Sequence, residues 1–300
     1  HPRRLYYGDV NGAGAVDLIE SYFDPVLGKE VPESNLKIAS AAFPFLQGIY
    51  PTYESYSVAS VQELFGDKLK QCAVAEANTL ASMLFLNRGD HFEPIPLPAE
   101  AQLAPAFGIS VADFDGDGNE DIFLSQNFFA TAGDSARCDA GRGLLLHGHG
   151  DGHFSPMTAQ QSGIAIYGEQ RGTAVADYDH DGRIDLVVTQ NGAATKLFHN
   201  AAAKPGLRVK LVGPQNNPSA IGATMRLVFA QKKGSVREIH GGSGYWSQDS
   251  VIQTLATPEE PRQIWVRWPG GQTTTSDIPP GSNAIEVEPN GNLRVTNKHP

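Results

Sequence analysis

Asp113, Asp115, Asp117 and Asp121 lie at positions 1, 3, 5 and 9 of one short stretch, spaced D-x-D-x-D-G-x-x-D within Val111–Leu124. Carboxylates this close repel one another unless a cation sits among them. Calcium takes about six to eight oxygen ligands at roughly 2.3–2.6 Å, and a loop offering side-chain oxygens at alternate positions, plus a carbonyl at position 7, could wrap it. That assigns a site to Asp113, Asp115, Asp117 and Asp121 with the Asn119 carbonyl. Gly116 and Gly118 give the backbone the freedom to turn. The loop is not an EF-hand, because Leu124 stands where that motif has a bidentate glutamate. The same spacing recurs at Asp177, Asp179, Asp181 and Asp185, with Arg183 supplying the carbonyl. A degraded copy keeps Asp9, Asn11 and Asp17, with the Ala15 carbonyl, and has Ala13 in place of the central acid. The expectation is two calcium sites and a third, weaker one. Asp/Gly turns that merely cap hairpins would explain the glycines but not four acids in register.

Strands must hold these loops. Ile109-Ser-Val-Ala precedes the first complete loop and Ile122-Phe-Leu-Ser follows it, each with β-branched and aromatic residues. A second repeated piece lies between the loops. Met83-Leu-Phe-Leu-Asn-Arg-Gly-Asp-His-Phe92 matches Leu144-Leu-Leu-His-Gly-His-Gly-Asp-Gly-His-Phe154, and Leu197-Phe-His-Asn200 begins a further copy. The repeat is therefore a small antiparallel sheet of about four strands with one calcium turn, and radial repetition of such sheets makes a β-propeller. Residues 24–79 depart from this pattern. Pro51–Phe65 has apolar residues at helical spacing, and Lys68–Leu84 reads as a helix running into a strand, so the segment is expected to be a helical insertion on one blade. From Leu207 onward short alternating strands are expected at Leu207–Gly213, Ala223–Ala230, Val236–His240, Val251–Leu255, Gln263–Trp268 and Ala284–Val287, which suits a sandwich or barrel. Ala201–Pro205 reads as the linker, dividing the chain into residues 1–200 and 201–300.

The 300 residues are 40% hydrophobic and 19% charged, with 32 glycines and 20 prolines, which suits a turn-rich β protein. The net charge of −10 resides largely in the aspartate loops and leaves no basic footprint for nucleic acid. No apolar run reaches the roughly 20 residues of a membrane span. The chain starts at His1 without a signal peptide, which suggests a processed or fragmentary form. Cys72 and Cys138 could form one disulfide in an oxidising compartment. Calcium loops of low affinity function where calcium is millimolar, which points outside the cytoplasm.

The D-x-D-x-D-G-x-x-D loops and their turns resemble FG-GAP (VCBS) repeats, the type found in integrin alpha-chain propellers. Leu207-Arg-Val-Lys-Leu-Val-Gly213, Asn217-Pro-Ser-Ala-Ile-Gly-Ala223, Gly241-Gly-Ser-Gly-Tyr-Trp-Ser-Gln248 and Val266-Arg-Trp-Pro-Gly-Gly-Gln272 resemble the ASPIC/UnbV domain. The two in this order are similar to the cartilage acidic protein family. That resemblance implies an extracellular calcium-binding propeller used in adhesion or matrix interactions, with no established catalysis. Three loops imply too few blades to close a ring. The open strand edges invite self-association, or completion of the propeller by another segment.

Other constellations invite chemistry less strongly. His147, His149 and His153 surround a glycine-rich turn, with His147 and His149 on one strand face where a transition metal could bind. The matching turn at Asn87–Phe92 lacks two of these histidines, which favours plain surface positions. Arg88-Gly-Asp90 spells an integrin-recognised tripeptide but occupies a turn of the repeat. Gly241-Gly-Ser-Gly-Tyr245 does not meet G-x-S-x-G. Tyr245 and Trp246 could form an aromatic platform, although sealing the domain core is the simpler reading. The sequence thus describes an all-β, non-enzymatic, extracellular calcium-binding scaffold with a protein or glycan ligand. Two alternatives stand beside it: a structural subunit of a surface assembly or filament, and a secreted polysaccharide-active enzyme, since propellers also host hydrolases.

Overall fold

The computed structural model describes residues 1–131 and 135–296. These form two compact units, 1–81 and 82–300. Both complete acidic loops and the whole C-terminal region fall in the second unit, so the structural division lies inside the stretch that the repeats group together.

In the first unit, β1 (Arg3–Gly8), β2 (Asp17–Asp24) and β3 (Lys29–Pro32) run into four short helices, α1 (Leu36–Ala42), α2 (Phe45–Ile49), α3 (Tyr53–Ser57) and α4 (Val61–Phe65), and β4 (Ala73–Ala77) returns to the sheet. The strand order is β3-β2-β1-β4. The helices bury Leu36, Phe43, Leu46, Val61, Leu64 and Phe65 in one core with Val10 and Ile19. The single helix expected over Pro51–Phe65 is two helices, because the chain carries two start signals. Thr52 caps α3 in a capping box with Ser55, and Ser60 restarts the chain as α4 with Glu63 reaching back to its backbone. The helix expected from Lys68 is instead a 3-10 turn over Gly66–Gln71 that ends before β4.

The second unit opens with the hairpin β5 (Met83–Asn87) and β6 (Phe92–Pro96). A four-stranded sheet follows, made of β7 (Ala106–Ala112), β8 (Asp121–Gln126), β9 (Leu144–Gly148) and β10 (Phe154–Pro156) in sequence order. A short α5 (Ala159–Ser162) leads to the three-stranded sheet β11 (Glu169–Ala176), β12 (Asp185–Asn191) and β13 (Ala193–Phe198). The two sheets pack through Phe123, Leu145, Ile164, Ile166, Leu186 and Val188. Their first strands meet closely at Gly108, where a Cβ would come within 2.7 Å of the Arg171 carbonyl oxygen. β8 is buried along its whole length, as a strand packed on both faces must be.

The C-terminal region holds β14 (Leu207–Leu211), β15 (Thr224–Val228), β16 (Arg237–Glu238), β17 (Gln253–Leu255), β18 (Gln263–Arg267), β19 (Thr273–Asp277), β20 (Ala284–Val287) and β21 (Leu293–Val295). They form two four-stranded sheets, β17-β14-β20-β21 and β16-β15-β18-β19. Val209, Leu211 and Ile285 of the first sheet share one core with Met225, Leu227, Ile264 and Val266 of the second, so the region is a sandwich. The strand β19, Thr-Thr-Thr-Ser-Asp, escaped the sequence reading because it is a polar, mostly exposed edge. The protein is all-β, and among the described residues four of its five short α-helices lie in the first unit. Among the described residues no helix is long and apolar enough to cross a membrane. Cys72, in the first unit, and Cys138, in the second, are both free thiols.

Candidate metal centre

Each acidic loop joins the first two strands of its sheet: β1 to β2, β7 to β8, and β11 to β12. The antiparallel register brings position 9 back opposite the residue before position 1, as in Ala112 with Asp121 and Ala176 with Asp185. Between these anchors all three loops adopt the same left-handed turns. Gly12 and Gly14, Gly116 and Gly118, and His180 and Gly182 all have positive φ. Glycine reaches that region without a Cβ penalty, so His180 (φ +71°) is the exception the loop imposes.

The loop backbone aims its N–H groups at the aspartates. Asp113 Oδ1 accepts from Gly116 N at 2.7 Å and its Oδ2 from Gly118 N at 2.7 Å. Asp121 Oδ2 accepts from Phe114 N and its Oδ1 from Gly148 N, both at 2.8 Å. In the second loop Asp185 takes the corresponding bonds from Tyr178 N (3.1 Å) and Asn200 N (2.8 Å). Asp177 Oδ2 accepts from Gly182 N at 3.0 Å, and the His180 backbone N–H is a second donor to the buried Asp177 carboxylate. Positions 1 and 9 are buried in both loops. Burial, with Asp115 and Asp117 nearby, pushes the Asp113 carboxyl up to about 6, against the backbone hydrogen bonds that pull it down. Burial raises Asp177 as well, and the Arg208 guanidinium opposes that rise.

Carboxylate oxygens of Asp113, Asp115 and Asp117 converge within 4.8 Å of one another, as do those of Asp177, Asp179 and Asp185. Both are acidic clusters that could hold a metal ion. The degraded loop differs. Asn11 Nδ2 donates to Asp17 Oδ1 at 3.0 Å and Asn11 Oδ1 accepts from Ala13 N at 2.8 Å. Both polar atoms of the Asn11 side chain therefore serve the loop's own hydrogen bonds, and Asp9 Oδ2 is held by Gly14 N at 2.9 Å.

Two features were not found from the sequence. His147 keeps its ring edge-on to that of His149 at 5.0 Å but places Nδ1 3.2 Å from Asp115 Oδ2 and 3.3 Å from Asp121 Oδ1, while His149 Nε2 pairs with Ser155 Oγ at 2.7 Å. His199 sits at the second loop in the same way, 3.3 Å from Asp179 Oδ2 and 3.4 Å from Asp185 Oδ1. The repeat carried the signal, since Leu145-Leu-His-Gly and Leu197-Phe-His-Asn put both histidines at one place. The second feature is the C-terminal sandwich, which packs on both loops. Lys204 N donates to the Asp115 carbonyl (3.2 Å) and Gly206 N to the Gly182 carbonyl (2.7 Å). Arg208 Nε lies 2.7 Å from Asp177 Oδ2, and Arg237 pairs with Glu120. A Cβ at Gly116 would meet the Lys204 carbonyl oxygen at 2.7 Å.

Arg88 of the Arg-Gly-Asp turn is held by Glu93 at 2.7 Å. Tyr245 and Trp246 do not seal the core. Trp246 is 89% exposed and Tyr245 46% exposed; the backbone carbonyls of both lie against Gly172 of β11, and the Tyr245 ring meets Phe107 edge-on at 6.3 Å. A cleft of about 530 Å³ runs between β7, β11 and the sandwich, lined in part by Asp177, Glu238, His240, Ser243 and Asp249. Of its acids, Asp249 is occupied with Val175 N at 2.9 Å.

Residues 129–188 match the FG-GAP-like repeat model and residues 213–293 match the ASPIC and UnbV model. Cartilage acidic protein 1 of Homo sapiens is 25% identical over 217 residues, covering 68% of this chain and 32% of that protein. The Xenopus tropicalis protein of the same name is 28% identical over 186 residues, covering 59% of this chain and 28% of its own length. The Mus musculus protein is 25% identical over 206 residues, covering 65% and 31%. The chain thus spans about a third of the length of the curated relatives it matches. It carries an FG-GAP-like repeat followed by an ASPIC and UnbV domain, and in that arrangement it is similar to cartilage acidic protein 1.

Proposed function

We propose that this chain is an extracellular, non-catalytic calcium-binding scaffold whose rigid β framework presents a surface to a protein or glycan ligand. The observation that carries the reading is the repeated convergence of carboxylates at 113–117 and 177–185 on a shared backbone turn. Asp113, Asp115, Asp117 and Asp121, with the Asn119 carbonyl, would hold one ion. Asp177, Asp179, Asp181 and Asp185, with the Arg183 carbonyl, would hold a second. The aspartate and carbonyl donors of the two loops are all oxygen, which fits a hard cation. Bound calcium would supply positive charge that lets buried carboxylates ionise together. The loop at Asp9, Asn11 and Asp17, with the Ala15 carbonyl, would be the weaker third site. Residues 1–200 would be propeller blades, with 24–79 an insertion, and 201–300 the second domain.

The protein's own residues convert loop order into surface order. Lys204, Gly206 and Arg208 tie the chain entering the sandwich to both loops, so ordered loops fix how the sandwich sits. Tyr245 and Trp246, held outward on that sandwich, supply the kind of exposed aromatic surface that ligands use. The relatives' name, an acidic protein of cartilage, supports a place outside the cell. The test is binding of the chain to immobilised matrix proteins and glycans, with calcium and with chelator. Calcium-dependent capture that Trp246→Ala weakens is expected. Capture indifferent to both calcium and Trp246 would overturn the reading.

One observation favours a structural-subunit reading as well. β13 ends a three-stranded sheet where the neighbouring sheet has a fourth strand, and its residues are exposed. An edge of that kind accepts a strand from another segment. Light scattering with and without chelator separates the readings, since an assembly that dissociates on chelation belongs to the second.

A further inference from the structure

We propose that Trp246, Tyr245, Phe107 and Phe128 form one rigid aromatic strip that binds a proline-rich peptide segment in the polyproline II conformation. This rests on the reading that Tyr245 and Trp246 present a ligand surface, and it goes beyond that reading in naming a peptide rather than a glycan. The rings form a continuous run. Trp246 and Tyr245 have centroids 6.3 Å apart, Tyr245 meets Phe107 at 6.3 Å, and Phe107 meets Phe128 at 6.0 Å. A polyproline II strand advances about 3.1 Å per residue, so each step along the rings spans about two of its residues.

Hydrogen bonds fix the strip before any ligand arrives. Ser243 N donates to the Ser247 carbonyl at 2.8 Å and Asp249 N to Ser243 Oγ at 2.6 Å, which closes the 243–249 loop on itself. The end of that loop is fastened to β11, where Val175 N donates to Asp249 Oδ1 (2.9 Å) and Ser250 N to the Val175 carbonyl (3.0 Å). Trp246 keeps a left-handed backbone (φ +52°) that a bulky residue rarely adopts, and its ring stays in solvent. The Arg171 guanidinium stacks on Phe107, 4.1 Å from the ring centroid. A surface ordered in advance lowers the entropy cost of binding, and a ligand already extended as polyproline II lowers it on the other side.

Charge and hydrogen-bonding capacity select the ligand. Arg171 is occupied, donating to the Asn127 carbonyl at 3.1 Å and the Gln170 carbonyl at 2.7 Å and pairing with Glu169 at 2.8 Å. Glu169 is occupied in turn by Phe129 N at 2.7 Å and Asn191 Nδ2 at 2.6 Å. These two residues therefore leave the strip no free cation for an anionic glycan and no free carboxylate for a basic peptide. The carbonyls of Tyr245 and Trp246 lie against Gly172. The groups at the rim of the two exposed rings are the Trp246 indole N–H, which only donates, and the Tyr245 hydroxyl, and neither has a hydrogen-bond partner among the described residues. A sugar must find acceptors for each of its own hydroxyl hydrogens, and one phenol oxygen serves few of them. A proline-rich strand has apolar rings, no N–H on its prolines and carbonyls without internal partners. That is the complement of aromatic faces rimmed by donors.

The experiment is fluorescence anisotropy of a labelled decaproline peptide titrated with the full chain, beside a labelled Gly-Ser peptide of matched length and labelled cellohexaose as a neutral glycan. Trp246→Ala and Tyr245→Phe are compared with wild type, with circular dichroism confirming that each variant folds. The expected result is saturable binding of decaproline alone. Trp246→Ala weakens it on the order of 10-fold or more, and Tyr245→Phe, which removes only the hydroxyl, weakens it about 2- to 10-fold. Equal binding of the Gly-Ser peptide, or decaproline binding that Trp246→Ala leaves unchanged, overturns the proposal. Binding of cellohexaose without decaproline, lost in Trp246→Ala, overturns it while leaving the ligand-surface reading in place. Failure of all three probes, with capture on matrix proteins and glycans indifferent to Trp246, overturns that reading as well. Should a variant fail to fold, ¹⁵N NMR of the wild-type indole groups with decaproline reads the same point. A shift of the Trp246 Nε1–H resonance supports the contact, and an unshifted resonance refutes it.

Discussion

Loops 113–121 and 177–185 share a backbone and differ in their counter-charges. Each has left-handed residues at the same two places and a position-9 aspartate holding the same two N–H groups. Among the described residues the first loop has no guanidinium paired with its four aspartates; Arg237 pairs instead with the neighbouring Glu120. The second has Arg208 on Asp177 and Arg183 on Asp181. The spacing of the acids sets the shape of a loop, whereas its dependence on a cation is set by residues from elsewhere. The first loop is expected to lean on calcium for its stability, and the second to be partly self-neutralised.

The largest effect expected is at Arg208. Arg208→Met leaves the buried Asp177 carboxylate without its partner, which costs about 3–5 kcal/mol in chelator. Urea unfolding should show most of that loss restored by a divalent cation, and a loss unchanged by cation would break the comparison. Position 4 of the loops comes next. Gly116→Ala drives a Cβ toward the Lys204 carbonyl from a left-handed backbone and is expected to cost about 2–3 kcal/mol. His180→Gly at the matching place relieves a left-handed side chain and should range from neutral to about 1 kcal/mol stabilising. Thermal unfolding of the two variants checks the opposite signs.

A pH effect separates the loops further. The folded Asp113 carboxyl sits at about 6, above its ordinary 3.8. In the cation-free protein this group therefore favours the fold at low pH, and that contribution is lost as pH rises through about 6. Cation binding needs the ionised form, so the rise in melting temperature caused by calcium should be small near pH 5 and full near pH 7. Arg208 opposes the rise at Asp177, so the dependence should weaken when only the second loop is intact. The smallest effect is at position 5. In chelator Asp181→Asn loses the Arg183 pair and is expected to cost about 0.5–1 kcal/mol, while Asp117→Asn relieves repulsion and should be neutral or slightly stabilising.

The loops, their flanking strands and the alternating strands of the sandwich could be read from the sequence because each depends on local spacing. Asp113 and Asp177 announce themselves by their neighbours, and Leu207–Leu211 by alternation. The partners of those loops are not local. Arg208 and Lys204 come from the far side of the linker, and His147 and His199 from strands later in each repeat. Nothing in the immediate sequence of either loop names them. The restart at Ser60 was legible as a capping box, but the apolar periodicity running through it suggested one helix. Tyr245 and Trp246 look like core residues by type, but their backbone lies against Gly172 and the Trp246 ring is left exposed.

The most direct test is calorimetric titration of the chain with Ca²⁺, alongside Asp115→Asn/Asp117→Asn and Asp179→Asn/Asp181→Asn. The account predicts separable sites, one lost with each double substitution, and the larger gain in thermal stability coming from the 113–121 loop. Stoichiometry unchanged by both substitutions, or no binding at millimolar calcium, would contradict it.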